Sequence, residues 1–302
     1  MPPKLTLILK ATFALLMLAA LIWWVQSNYG WLELLSAWNQ VPLATIGLAA
    51  LLVIGSHFLR VLRVYRAYSY HTCVDFRLTS SVSLVHNTVS FLLPMRLGEI
   101  ALPALSKHQL GIELRYSSAT LVLLRLFDAH MLALLLLFFT GSLWLSTYGL
   151  GQYAIIIPLS LITALPFCIH LLKWGCSRSE KLRFLLPLIQ TPQSWLTLYA
   201  LTMALWLIKL LALALVAAAL GHIAIDHAWI ATIIADGSAL SPLTGFANAG
   251  TFELAFAAPL LPLGYELNHL VKVAVNLHLF IFVINIAVGI FGFIGLNPRT
   301  QP

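Results

Sequence analysis

Residues 91–99 have the sequence FLLPMRLGE and interrupt the apolar stretch 76–106, whose two halves are each too short to cross a bilayer. Pro94 and Gly98 both disfavour a continuous helix at this point. Backbone groups freed at membrane depth are tolerated only where protein or a water-filled cavity receives them. The stretch therefore predicts a re-entrant helical hairpin, which enters the membrane and returns to the side it came from.

A second interruption of the same kind occurs in residues 228–262. Its break, residues 241–250, has the sequence SPLTGFANAG and contains Pro242 and Gly250, and Glu253 follows just beyond it. Three predicted spans separate the two hairpins, so the second hairpin enters from the opposite face. Two broken hairpins of opposite orientation predict an inverted repeat, on which many transporters build a site from discontinuous helices.

The composition places the rest of the chain in the membrane as well. Of 302 residues, 61% are hydrophobic and 9% are charged, far from the balance of a soluble domain. We predict an all-α polytopic membrane protein with about six full transmembrane helices plus the two broken hairpins. The six predicted spans are residues 5–25, 41–59, 117–146, 152–172, 195–220 and 269–294.

The positive charges predict the orientation of the chain. The net charge is +7, but Lys and Arg fall in loops and span ends that alternate onto one side, such as the cluster of Arg60, Arg63 and Arg66. This is the positive-inside pattern, so we expect both termini in the cytoplasm. The three arginines recur every three residues, and we interpret them as one basic stripe that anchors the helix or contacts lipid phosphates. The distribution argues against nucleic acid as a partner.

We treat residues 1–302 as one transmembrane domain with four parts. These are an N-terminal anchor helix with an external amphipathic stretch (1–40), repeat one (41–146), a linker span with a cytoplasmic loop (147–194) and repeat two (195–295).

Four charged residues of repeat one are candidates for binding an anionic headgroup. Charges inside a span cost about 2.5–3.5 kcal/mol on insertion scales, so they face a partner or a cavity. Arg125 and Asp128 share a helix face, so they neutralise each other or Asp128 orients Arg125 towards a phosphate. Arg96 and Glu99 lie at the break, where they brace the hairpin as an ion pair or hold a phosphate together with freed backbone amides.

In repeat two, Asn268, Lys272 and Asn276 recur every four residues and form a polar stripe on the last span. Glu253 in the neighbouring hairpin is the expected partner of Lys272. The pair either holds the helices together or binds protons or headgroups.

Other chemistry has little support in the sequence. The ten histidines are scattered without the spacing of a metal site, and there is no glycine-rich phosphate loop. We expect neither a metal nor a cofactor.

The chain resembles the transmembrane domain of the lysylphosphatidylglycerol synthetase/flippase family. Residues 93–99 (LPMRLGE) match that family's Pro-x-Arg-x-Gly-Glu signature, and residues 125–128 (RLFD) match its Arg-x-x-Asp signature. Residues 250–253 (GTFE) are similar to its Gly-x-x-Glu element, although the family usually has more glycines there. The resemblance covers roughly residues 40–295.

In that family, this domain moves a lipid between leaflets, and a separate cytoplasmic domain makes the lysyl lipid. The resemblance implies a stand-alone, flippase-like protein of a bacterial inner membrane, whose cargo is an anionic or aminoacylated phospholipid or a related lipid-linked headgroup. Under this hypothesis Arg96, Arg125, Lys272 and Asn276 contact the headgroup, while three carboxylates orient them: Glu99, Asp128 and Glu253.

Two other functions stay open, although transport is favoured over catalysis. One is an integral-membrane enzyme acting on a lipid phosphate or polyprenyl carrier. The other is a scaffold for a lipid-modifying enzyme. A second copy of the chain and a lipid-modifying enzyme are both open as protein partners.

Overall fold

The computed structural model of the chain describes residues 19, 22–23, 25–27, 29–147, 156–240 and 246–296. All regular secondary structure in these residues is helical. Four helical stretches are long and apolar enough to cross a membrane: Leu43–Ser69, Leu114–Thr140, Pro192–Gly221 and Leu267–Ile294. The chain therefore has the architecture of a multi-pass helical membrane protein.

The α-helices in chain order are α1 (Trp31–Ser36), α2 (Leu43–Ser69), α3 (Phe76–Leu92), α4 (Ala101–Leu110), α5 (Leu114–Thr147), α6 (Ile156–Arg178), α7 (Leu186–Ile189), α8 (Pro192–Gly221), α9 (Ile225–Gly237), α10 (Thr251–Ala257) and α11 (Leu267–Ile294). Short 3-10 segments lie between them at Ala37–Gln40, Pro94–Ile100, Glu180–Leu185, Ser238–Leu240, Phe246–Asn248 and Leu261–Leu263.

Four of the six predicted spans correspond to α2, α5, α8 and α11. The predicted span at residues 152–172 falls on α6 from Ile156 onward, and the one at residues 5–25 lies almost wholly outside the described residues. The count of six spans therefore stays a prediction. α2 continues past the predicted end at residue 59 to Ser69, because arginine is a good helix former and does not end a helix.

The first predicted break is present. α3 ends at Leu92, the 3-10 segment Pro94–Ile100 follows, and α4 resumes the helix. Gly98 lies directly against the backbone of Val89 and Ser90, in the last turns of α3, and a Cβ at this position would overlap both. Glycine is required here because the 3-10 segment folds back onto the helix that precedes it. Whether this hairpin is re-entrant stays a prediction.

The second break is present as well. α9 and the 3-10 segment Ser238–Leu240 precede it, and Phe246–Asn248 and α10 follow, with α10 packed against α9. Ala247 and Asn248 have φ of 48° and 62°, a conformation that costs roughly 1–2 kcal/mol per residue without glycine. Gly250 has φ 82° and precedes the first residue of α10. The predicted break residue Pro242 lies outside the described residues.

The chain divides into two compact units, each made of separate segments. Unit 1 comprises Met1–Ala50, Thr88–Gly98 and Leu211–Ile286. In unit 1, α1 packs against α11 through a buried cluster that includes Leu34 and Val275. Unit 1 also contains the second hairpin, from α9 to α10.

Unit 2 comprises Leu51–Asn87, Glu99–Leu210 and Ala287–Pro302. Two buried tyrosines cross-link its helices. The Tyr68 hydroxyl lies 2.7 Å from Ser106 Oγ and 2.5 Å from Ser117 Oγ, and Tyr116 donates to the carbonyl oxygen of Ala67 at 2.8 Å. These bonds connect α2, α4 and α5, so the parts of these helices that carry charged residues have fixed positions within unit 2.

We expect Gly98→Ala to destabilise the first hairpin. The added methyl group meets main-chain atoms, which cannot rotate away as a side chain can, and overpacking of this kind costs about 1–3 kcal/mol. The free energy of unfolding in detergent measures the effect. Gly47→Ala is the matched control, since nothing lies within 4 Å of a Cβ at Gly47. If the two variants have the same free energy of unfolding, Gly98 does not lie directly against the backbone of Val89 and Ser90.

Candidate functional site

A fully buried carboxylate lies at the centre of unit 2. Asp128, on α5, is 0% exposed. Arg63, on α2, donates to both of its oxygens, from Nη1 to Oδ1 at 2.6 Å and from Nη2 to Oδ2 at 3.3 Å. Trp206, on α8, donates its indole N–H to Oδ1 at 2.9 Å. Side chains of three candidate membrane spans therefore meet at the Asp128 carboxylate. The bidentate contact with Arg63 is a strong form of charged hydrogen bond.

A second ion pair extends the network towards the first hairpin. Arg125, one turn before Asp128, donates from Nη1 to Asp128 Oδ2 at 3.2 Å and from Nε to Glu99 Oε1 at 2.9 Å. The Arg125 and Glu99 side chains are about one fifth exposed, whereas Asp128 is inaccessible. Arg125 thus connects the buried carboxylate to one that solvent or a ligand can reach.

Two more cations lie on the tryptophan of this network. The Arg60 guanidinium is 5.3 Å from the centre of the Trp206 ring, and the Lys209 ammonium is 5.2 Å from it. Both distances are within cation–π range. The cluster, defined as Arg60, Arg63, Arg125, Lys209, Glu99 and Asp128, contains four cations and two carboxylates. We call it the arginine cluster.

A small cavity opens onto the arginine cluster between α2, α3, α4 and α5. Its lining includes Arg60, Arg63, Asn87, Arg125 and Asp128. The centre of a water-sized atom inside the cavity has a volume of about 20 Å³ available to it. That is room for a single water or one anionic oxygen. Arg63 Nε and Asn87 Nδ2 are buried nitrogen atoms without a hydrogen-bond partner. The cavity wall therefore contains buried donors that a ligand oxygen could satisfy.

The structure brings together three of the residues that the sequence singled out, Glu99, Arg125 and Asp128. The predicted contact between Arg125 and Asp128 is present, but Arg125 also reaches Glu99, which sequence reasoning had paired with Arg96. Arg96 lies within the 3-10 segment of the break, and its side chain is outside the described residues.

Arg63 is the central residue that the sequence interpretation missed. The interpretation of Arg60, Arg63 and Arg66 as one basic stripe is wrong, because Arg63 is 4% exposed whereas Arg66 is exposed. A step of three residues falls short of a full helical turn by about 60°, so successive arginines drift around the helix.

Unit 1 contains a buried pair of a different type. Glu253, on α10, and His278, on α11, are each 6% exposed, and Glu253 Oε1 lies 2.7 Å from His278 Nδ1. His278 Nε2 is 2.7 Å from the carbonyl oxygen of Ala247, and the Gly250 N–H donates to Glu253 Oε2 at 2.7 Å. The pair therefore connects α11 to the strained break of the second hairpin.

The predicted pairing of Glu253 with Lys272 is wrong. Lys272 instead donates to Glu33 Oε1 on α1 at 2.7 Å, and this hydrogen bond holds the pKa of the Glu33 carboxyl below its usual range. Asn276 accepts from the Trp38 indole N–H at 2.8 Å and donates to the carbonyl oxygen of Leu34 at 2.9 Å. Lys272 and Asn276 thus attach α1 and the 3-10 segment after it to α11, and their predicted role in binding a headgroup stays a prediction.

A family model described as "Lysylphosphatidylglycerol synthase TM region" matches residues 8–289 of the chain. A search of curated proteins found no match.

We expect Asp128→Asn to destabilise the protein strongly. The amide removes the negative charge from between Arg63 and Arg125, and loss of one partner from a buried ion pair costs about 3–5 kcal/mol. The free energy of unfolding in detergent measures the loss. Glu113→Gln removes a carboxylate from the exposed pair with Arg115 and should leave stability unchanged. An Asp128→Asn variant as stable as the wild type would show that the arginines do not depend on this carboxylate.

Proposed function

Because the chain belongs to the family of the lysylphosphatidylglycerol synthase TM region, we propose that it is a membrane lipid translocator. It moves a lipid with an anionic or aminoacylated headgroup between leaflets, and the arginine cluster binds the phosphate of that headgroup. Family membership supports a function in membrane lipid metabolism. The finer assignment rests on the charges of unit 2.

The concentration of cations around one cavity is the observation that carries the proposal. The arginine cluster lies on α2, α5 and α8, all of which are candidate spans, and on the first hairpin. Charges at membrane depth normally face a partner, a cavity or a transport pathway. Three of the four cations, Arg60, Arg63 and Arg125, line the cavity, and an anionic headgroup suits that lining.

The geometry of the cavity supports a phosphate oxygen as the ligand atom. A phosphate diester offers charged oxygens that accept from several donors at once, and the planar guanidinium suits this geometry. Arg63 Nε and Asn87 Nδ2 are buried donors at the cavity. The cavity holds one such oxygen rather than a whole headgroup, so entry of a lipid requires the helices around it to separate.

A site of this kind lowers the barrier to moving a headgroup across the membrane. The barrier arises because hydrocarbon offers no hydrogen bonds to a charged group that leaves water. Donors within the spans replace part of the lost hydration, while the acyl chains stay in lipid. The predicted opposite orientation of the two hairpins, with both termini in the cytoplasm of a bacterial inner membrane, is part of this proposal because it gives access from both leaflets.

Reconstitution into liposomes tests the proposal. We expect the wild type to accelerate exchange between leaflets of a fluorescent anionic phospholipid. The double variant Arg60→Gln/Lys209→Gln removes two cations of the cluster, while Asp128 keeps its contacts with Arg63 and Arg125 and Glu99 keeps its contact with Arg125. We expect its exchange rate to fall at least about tenfold, the effect of losing one charged hydrogen bond of about 1.5–3 kcal/mol. Arg115→Gln, which removes an exposed cation of α5, is the matched control.

A second variant separates binding from structure. Arg63→Met/Asp128→Leu replaces the buried pair with apolar side chains, a change that is often neutral for stability. If this variant folds and exchanges lipid as fast as the wild type, the arginine cluster is structural and the proposed site is wrong. A folded wild type that does not accelerate exchange of any lipid would contradict the proposed function itself.

A further inference from the structure

The geometry of the second hairpin points to a proton-binding site, and we infer that Glu253 and His278 share one proton whose presence latches this hairpin to α11. The inference rests on the proposed function in one respect, since it names the proton as the ion that is coupled to lipid exchange. The latch itself involves only residues of unit 1 and is open to test without transport.

The hydrogen-bond partners of His278 fix the number of protons that the pair holds. Nε2 faces the carbonyl oxygen of Ala247 at 2.7 Å, and a carbonyl only accepts, so Nε2 carries a hydrogen. Nδ1 faces Glu253 Oε1 at 2.7 Å, and two bare lone pairs would repel at that distance, so one further hydrogen lies between them. Whether the proton is on nitrogen or on oxygen, the pair has no net charge.

Loss of the shared proton changes this balance. The proton passes to water, and the pair is left as a carboxylate facing a neutral imidazole with a net charge of −1. The Gly250 N–H still donates to that carboxylate, but both side chains are buried and the rings of Phe91 and Phe252 lie 5.9 and 4.7 Å from that of His278, so little else there stabilises the charge. The carboxylate then favours a position open to water.

The strained backbone at the break couples the loss of the proton to a change in conformation. Ala247 and Asn248 are held in the left-handed conformation without being glycine, a strain that persists only while the surroundings enforce it. His278 holds the carbonyl of Ala247, and Glu253 holds the N–H of Gly250. The shared proton joins these two contacts to each other, and when its loss separates Glu253 from His278, residues 246–250 are free to relax.

The other charged and titratable groups on the elements around the pair have their own contacts. Lys272 pairs with Glu33, His269 contacts the carbonyl oxygen of Gly221, and His227 contacts the Tyr265 hydroxyl. Asp226 accepts from the backbone N–H of His227. Asp236, on α9, is a second buried carboxyl group of the hairpin and has a partner of its own. Residues 211–221 of α8 include no titratable side chain.

Hydrogen–deuterium exchange in lipid nanodiscs tests the latch. Over roughly pH 5 to 9, a range that includes the ordinary titration of histidine, we expect the exchange of residues 246–257, corrected for intrinsic amide rates, to rise with pH. Where the closed pair holds the proton and the open pair has lost it, the open fraction should rise about tenfold per pH unit. Wild type with pH-independent protection of this segment would overturn the inference.

Two variants remove the titration without removing all of the contacts. In Glu253→Gln, the amide N–H2 donates to Nδ1 as the protonated carboxyl would, so the segment should stay protected at all pH values. In His278→Gln the amide N–H2 donates to the Glu253 carboxylate without a shared proton, so this variant should likewise lose the pH response if Glu253→Gln does not fold. His269→Gln, on the same helix but outside the pair, should keep it. A pH response that persists in both folded variants of the pair would assign the titration to another group.

Lipid exchange in the same variants tests the coupling separately. With liposomes held at a series of pH values, we expect the wild-type exchange rate to follow the opening of residues 246–257, and that of Glu253→Gln to be low and independent of pH. If the latch titrates but the rate of lipid exchange is the same at every pH, the proton is not the coupled ion. If the latch titrates and no lipid is exchanged at all, the proton site stands and the proposed function fails.

Discussion

The carboxylate of Asp128, wholly removed from water, is the constraint on which the charged part of this structure depends. An ion in such a place costs several kcal/mol unless opposite charge and hydrogen-bond donors surround it. Arg63 on α2, Arg125 on α5 itself and Trp206 on α8 meet that requirement within unit 2. The relative positions of these three helices are therefore set by the need to bring their donors to one group. Arg60 and Lys209 join the network through the Trp206 ring.

Local features of the fold could be predicted from the sequence, because proline and glycine act on their immediate neighbours. Pro94 and Gly98 gave the first break, and the glycine is explained by its contact with the preceding helix. The same residue types gave the second break around Gly250. Long apolar runs predicted α2, α5, α8 and α11. These helices could also be predicted locally, because crossing hydrocarbon imposes a length and an apolar composition on each helix separately. The number of spans outside the described residues is not tested by these helices.

Pairings between distant residues could not be predicted in the same way. Arg63 and Asp128 are 65 positions apart, and no local pattern states which charge of one span meets which charge of another. The nearby pair of Arg125 and Asp128 was visible because the two lie one turn apart. Glu253 was assigned to Lys272, the nearest opposite charge, but six residues separate Lys272 from His278 on α11. That spacing places them about 120° apart around the helix axis, so one faces α1 and the other faces the hairpin.

The two polar sites differ in how their charge responds to pH. The guanidinium groups of the arginine cluster stay protonated at any physiological pH, so their positive charge is permanent and their attraction for an anion does not change with pH. The pair of Glu253 and His278 is neutral with its proton and negative without it, and its contacts extend to the strained residues of the break. A permanent charge suits a site that has to recognise the same headgroup in each cycle. A group that changes charge suits a site that has to change conformation. The reason is that pH shifts an equilibrium between two conformations only when they bind different numbers of protons.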